Sequence, residues 1–256
     1  MNLQRIHLAY FSATGTTARY MQAISKGIDA AQTNTIKLSE IKDDTITIPA
    51  NELIVFGIPV FSGRIPQFAQ KAIQRIKGNN TPAIITCIYG NRDFDDALLE
   101  LKNLAQANGF NVVSAAAFVA QHSIFPKVAK GRPHAADLAQ AAQFGVRSIQ
   151  NLHTNAPITI KGSYPYRAIK PVPLRPTTTK QCNNCGSCMK QCPVQAMHPD
   201  NPKKIDKKKC ISCMHCISIC PKQAKKLGGL LYWIASQKFN RNFAMSRENY
   251  IVYQAD

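Results

Sequence analysis

The chain has no apolar run long enough to cross a bilayer. A spanning helix needs about 20 apolar residues in succession, and the most apolar late segment, Leu227–Ala235, is roughly half that. It also lacks a leader of the basic-then-apolar kind with a small-residue cleavage site: the N-terminus enters an apolar run, Ile6 to Phe11, almost at once and leaves it in a Ser/Thr/Gly loop. These absences set the expectation of a mature chain in the cytoplasm. Two nucleotide-binding signatures are missing as well. There is no G-x-x-x-x-G-K, which excludes a Walker loop, and no G-x-G-x-x-G, which leaves a nicotinamide site without support. Acidic residues are scarce, 14 against 32 Lys and Arg, for a net charge of +18. The imbalance is uneven: residues 1–151 carry +5 and residues 152–256 carry +13. Outside the window 182–220 there is a single cysteine, Cys87, expected to be a small core residue at a strand end, with a reactive thiol as the alternative.

What is present over residues 1–151 is an alternation of strand-like and helix-like segments. Strands are predicted at Ile6–Phe11, Asn34–Leu38, Leu53–Ile58, Ala83–Ile88 and Asn111–Val119. Helices are predicted at Thr17–Asp29, Pro66–Ile76, Asp93–Asn108 (closed by Gly109) and Pro133–Leu152. Continuous apolar strands separated by helices imply a parallel sheet covered on both faces. Five such strands suggest an α/β doubly wound, flavodoxin-like order, with ligands bound beyond the carboxyl ends of the strands. Hydrophobic residues make up 45% of the chain, enough for such a core.

The region 153–180 is different in kind. Its five prolines and weak helical periodicity predict an extended, semi-rigid connection between two domains. Residues 181–225 then hold an internal repeat of 28 residues. Cys182, Cys185, Cys188, Cys192 and Pro193 recur as Cys210, Cys213, Cys216, Cys220 and Pro221, and Gln195-Ala196 recurs as Gln223-Ala224. The tail 226–256, with Trp233, Phe239, Phe243, Tyr250 and Tyr253, reads as packed on the protein rather than free.

The repeated unit is C-x-x-C-x-x-C-x-x-x-C-P. Two structural zinc sites are the plain alternative, but zinc uses two C-x-x-C pairs around a tetrahedron and has no use for a third cysteine at the same spacing. The segment resembles the bacterial-type dicluster ferredoxin, in which the fourth cysteine of each run ligates the other cluster. That resemblance implies one 4Fe–4S cluster on Cys182, Cys185, Cys188 and Cys220, and a second on Cys210, Cys213, Cys216 and Cys192. The small α+β domain departs from its relatives at Met214-His215, where a Gly is common and where the first repeat has Gly186; His215 is expected at the surface or as a weak tuner of the cluster. Between the repeats, Lys203-Lys204-Ile205-Asp206-Lys207-Lys208-Lys209 is either a solvated loop or a docking patch for an acidic redox partner. No aromatic residues interleave with these lysines, so nucleic acid is not an expected partner.

The first strand runs into Ser12-Ala13-Thr14-Gly15-Thr16-Thr17, directly before a helix. Hydroxyls and backbone N–H groups at a helix N-terminus make a phosphate cradle, although ordinary capping has the same look. Two further loops, Pro59-Val60-Phe61-Ser62-Gly63-Arg64 and Tyr89-Gly90-Asn91-Arg92-Asp93-Phe94-Asp95, follow strands three and four and each offers an aromatic residue and a Gly. The form S-x-T-G-x-T looks like the FMN phosphate loop of flavodoxins. Together FSATGTT, PVFSGRIP, YGNRDFDDAL and FVAQHS resemble a family of flavodoxin–ferredoxin fusions, and with the cluster repeats the likeness covers most of the chain. It implies that Ser12, Thr14, Gly15, Thr16 and Thr17 hold the FMN phosphate, and that Pro59, Phe61, Ser62, Gly63, Tyr89, Gly90, Asn91 and Asp95 belong to the loops around the ring. Thr16 stands where Asn is common but keeps a hydroxyl. Arg64 and Arg92 either approach the ring or pair elsewhere, for instance with Asp93 or Asp95, and His122 either satisfies a local hydrogen bond or touches the flavin.

These readings imply an electron-transfer protein that relays single electrons between an external partner, two 4Fe–4S clusters and FMN. A reductase that acts on an organic substrate at FMN is the alternative, although no acid–base pair is evident in the loops.

Overall fold

The computed structural model describes residues 5–152 and 156–254. The first half contains β1 (Arg5–Tyr10), α1 (Thr16–Ile28), β2 (Gln32–Lys37), β3 (Ile46–Thr47), β4 (Leu53–Pro59), α2 (Gln67–Ile73), β5 (Ile76–Lys77), β6 (Thr81–Tyr89), α3 (Ala97–Ala107), β7 (Phe110–Val119) and α4 (Ala135–Gln150). The second half contains β8 (Thr177–Thr178), α5 (Ser187–Lys190), β9 (Met197–His198), β10 (Asn201–Ile205), α6 (His215–Ser218), β11 (Lys225–Lys226), α7 (Leu230–Asn242) and β12 (Tyr250–Tyr253).

The main sheet has the order β12-β7-β6-β4-β1-β2. Its five parallel strands are those expected, and their order is the flavodoxin-like one. Side chains alternate across β4: Leu53 and Val55 face one core with Tyr20, Met21 and Phe144, while Ile54 and Phe56 face the other with Ile73, Leu98 and Leu101. Each such buried side chain contributes about 1.5–3 kcal/mol. Helix α3 starts later than expected, at Ala97, because Asp93 to Asp96 form a loop: the Asp93 carboxylate accepts the Asp95 N–H, and that of Asp96 accepts N–H groups from the proline-rich segment. Ile76 ends up in a short strand beside Ile46, not in a helix.

The sheet also has a sixth strand. β12, from the tail, pairs antiparallel with β7 and covers what is otherwise an open edge. The tail thus ends as part of the sheet. Helix α7 packs by one row, Tyr232, Ala235, Phe239 and Phe243, against Ile124, Phe125, Val128, Leu174 and Met214. The proline-rich segment runs along the sheet half: Ile158 and Ile160 enter its core, and the Asp96 carboxylate accepts N–H bonds from Ser163 at 2.8 Å and Arg167 at 2.7 Å. Residues 153–155 of the predicted connection lie outside the described residues.

The cysteine-rich half repeats in space as it does in sequence. Helix α5 maps on α6 and β9 on β11 at the same 28-residue offset. Gly186 (φ 76°) and Met214 (φ 63°) are left-handed at equivalent positions. A left-handed Met costs about 1–2 kcal/mol, and here the side chain is 2% exposed and packs against Ile124, Phe125 and Val128 of the sheet half. The departure from Gly thus serves domain docking.

Candidate functional site

Two small cavities sit in the cysteine-rich half. One is lined by Cys182, Cys185, Cys188 and Cys220, the other by Cys192, Cys210, Cys213 and Cys216. Each takes three cysteines from one run and the fourth from the other. Ala196 N–H donates to Cys192 Sγ and Ala224 N–H to Cys220 Sγ, both at 3.2 Å, so the two crossing thiols are held alike. Four thiols around each cavity are the ligand set of a cuboidal cluster. Burial pushes the Cys213 and Cys216 thiols up to about 12, so loading metal must displace protons at neutral pH. Cys185, in contrast, is held below the usual thiol range by bonds from Ser187.

A third cavity, of 260 Å3, opens at the carboxyl ends of β1, β4, β6 and β7. Thr14, Thr16, Thr17, Pro59, Phe61, Ser62, Tyr89, Gly90 and Arg92 are among the residues that line it. The first-loop hydroxyls meet the N-terminus of α1, where Gly15 has φ 87° and there is open space where a side chain would stand. Hydroxyls and a helix N-terminus at one end, with aromatic and aliphatic walls beyond, suit a phosphate joined to a flat ring system. Gly90 leaves room for His122: a Cβ there would stand 2.5 Å from the imidazole.

Five of the expected residues turn away from this cavity. Ser12 Oγ accepts the Ala18 N–H at 3.1 Å and, like Gly15, borders a neighbouring cleft. Gly63 packs against the Asp95 carboxylate, which leaves no room for a side chain. Asp95 itself pairs with Arg92 and Arg167. Asn91 is 1% exposed and holds the tail: its amide donates to the carbonyls of Phe243 and Met245 at 3.1 and 2.8 Å and accepts the Arg247 N–H at 2.8 Å. Of the two arginines, Arg64 forms a bidentate pair with Glu100 at 2.8 and 2.6 Å. Arg92 stays on the cavity wall, where burial, then the nearby Arg167, lowers its pKa.

His122 makes the expected local hydrogen bonds and also lines the cavity. Its Nδ1 accepts the N–H groups of Ile124 and Phe125 at 3.1 and 3.2 Å, which leaves the proton on Nε2. Burial, then the Arg92 charge, lowers its pKa to about 4, so it is neutral near pH 7. Cys87 is fully buried in the sheet core, and burial pushes its thiol up.

Other residues at this site were not expected there. Phe239 of α7 lines the cavity, and so do Ile211, Ser212 and Cys213. Cys213 therefore stands in a wall shared by this cavity and the second four-cysteine cavity. His215 Nδ1 lies 2.8 Å from the Ala13 carbonyl, which can only accept, so Nδ1 carries the proton and donates; Ser218 Oγ donates to the same oxygen at 2.9 Å. His215 thus clamps the cysteine-rich half to the first loop, and its replacement of the usual pattern was the only sign of this in the sequence.

Residues 181–225 match the family model of the 4Fe–4S dicluster domain, so this segment is an iron–sulfur domain. Flavodoxin 2 from Bacillus cereus is similar to the sheet half at TM-score 0.45 and 13% identity, over 57% of this chain and 98% of that one. The Flv1 flavodiiron core from Synechocystis sp. PCC6803 matches at TM-score 0.43 and 19% identity over 59% of this chain; the chain spans 36% of that protein. A flavodoxin from the domain Archaea matches at 0.40 and 14%, over 58% and 98%. Likeness at this level carries no argument, and the fold rests on the strand order itself. No curated protein matches the chain. No helix among the described residues is long and apolar enough to cross a membrane.

Proposed function

We propose that this chain is an electron-transfer flavo-iron–sulfur protein of the cytoplasm, with FMN in the 1–152 half and two 4Fe–4S clusters in residues 181–225, joined by the segment 153–180. When bound, the clusters supply single-electron exchange and FMN supplies one- or two-electron exchange, so that electrons from an external donor reach the flavin through the clusters. Cys182, Cys185, Cys188 and Cys220 would hold the outer cluster, and Cys192, Cys210, Cys213 and Cys216 the inner one. Thr14, Thr16 and Thr17 would hold the phosphate, with Phe61, Ser62, Tyr89 and Gly90 along the ring. One observation carries this reading: Cys213 borders both the second four-cysteine cavity and the cavity at the strand ends. His215 and Ser218, bonded to Ala13, keep that shared wall in place. An acidic redox protein is the partner that the +13 half fits.

The test is rapid anaerobic mixing of the loaded protein with a cluster reductant. Flavin reduction at a rate independent of protein concentration is expected; no flavin reduction while the clusters bleach would end the relay. A reductase acting on an organic substrate is the weaker reading. The one imidazole on the cavity wall has its pKa at about 4, far from the value that suits proton transfer near pH 7.

A further inference from the structure

The repeat is broken at its centre by one charge. Met197 opens β9 and Lys225, at the equivalent position, opens β11. Both side chains are interior, 6% and 2% exposed, and they meet, with Lys225 Nζ 3.7 Å from Met197 Sδ. The ammonium donates to the Pro202 carbonyl at 2.6 Å and to Thr178 Oγ1 at 2.8 Å. These three acceptors match its three protons. No carboxylate of the described residues lies within ion-pair distance. Burying a cation without a counter-charge is costly, so an interior lysine in this setting calls for negative charge nearby.

The four-cysteine cavities supply the place for it. Lys225 lines the cavity of Cys182, Cys185, Cys188 and Cys220. Met197, which the Lys225 ammonium touches, lines the cavity of Cys192, Cys210, Cys213 and Cys216, so the one charge stands beside both quartets. We propose that Lys225 is a positioning residue, the counter-charge shared by both clusters, which raises the reduction potential of each. Adding one electron to either cluster makes it more negative by one unit, with no bond broken and no proton taken. A fixed cation nearby favours that form, and its burial leaves it poorly screened. Lys203 and Lys204 of β10 and Lys207, Lys208 and Lys209 after it are exposed and act on the clusters through solvent.

The inference rests on the cluster part of the proposed function and not on FMN. A wild-type preparation without acid-labile sulfide would fail that reading before any variant is compared. The test is an anaerobic potentiometric titration of the loaded full-length protein, with each cluster followed by electron paramagnetic resonance. Variants K225M, which repeats the Met of the first half, and K225Q, which keeps a neutral donor toward Pro202, are expected to weaken electron uptake at both clusters by tenfold or more, about 59 mV for a one-electron step. K225R is expected to stay near wild type. The shift should persist between about 0.05 and 0.5 M salt, because buried charge is little screened. Wild-type potentials in a loaded neutral variant would overturn the proposal, as would a shift at one cluster alone. Loss of iron and sulfide from both neutral variants would also overturn it, by showing that Lys225 holds the domain rather than tunes it.

Discussion

The two halves of this molecule are stabilised in different ways. In the sheet half the five parallel strands of the main sheet run six to ten residues, β4 is wholly buried, and two apolar cores lie on opposite faces. The cysteine-rich half has two four-residue helices and strands of two to five residues, and its own core is little more than Cys188, Met197 and Cys216. A segment this thin does not bury enough apolar surface to hold itself together. Its order must come from its metal and from docking, through Met214 and α7, on the sheet half. The difference teaches where each half is vulnerable: one to lost volume, the other to lost ligands.

The largest effect that sharpens this contrast is expected from the crossing cysteines. Cys220→Ser should remove the cluster shared with Cys182, Cys185 and Cys188, and Cys192→Ser the other. In each case iron and sulfide should fall by about half or more, while circular dichroism of the sheet half is retained. Loss of sheet signal in either variant would break the contrast. In the opposite direction, Phe56→Ala empties a fully buried site and should cost about 3–5 kcal/mol in urea unfolding, with the iron-to-protein ratio of the folded fraction unchanged.

The join between the halves is sensitive to pH. The folded-state pKa of His122 is about 4 against an ordinary 6.5, so the unfolded chain binds the proton more readily. Stability is then fully present above pH 6.5 and lost as pH falls toward 4, by roughly 3 kcal/mol at most across that window. His122→Asn, which keeps an acceptor for the Ile124 and Phe125 N–H groups, should flatten the profile in pH-dependent urea melts. A smaller effect is expected from Asn91→Ala, about 1–3 kcal/mol. It leaves the Phe243 and Met245 carbonyls and the Arg247 N–H without their partner. Faster hydrogen exchange in Tyr250–Tyr253, with protection in β4 unchanged, would show that the sixth strand is held from the loop after β6.

Much of this was legible along the chain. The period-28 cysteine pattern, the five apolar strands and the Ser/Thr/Gly turn before α1 are local signals, and each needs only its own neighbours to be read. Asn91 and Asp95 were assigned to a ring-binding loop because loops after such strands surround ligands. The structure uses them to hold the tail and the proline-rich segment, and those partners lie 72 to 156 residues away. Strand β12 was hidden for a similar reason. Four residues of Tyr, Ile and Val become a strand only when an open edge is there to pair with.

The amino-acid sequence by itself determined the ligand set of the last third and the five strands of the parallel sheet, because ligand identity, spacing and apolar periodicity are written residue by residue. Only the tertiary structure decided that Cys213 borders two cavities, that His215 bonds to Ala13 and that Lys225 lies buried in the wall of one quartet's cavity and against Met197 of the other. Those facts depend on distances between segments far apart in the chain, and such distances are set by how two cores and a domain interface pack together.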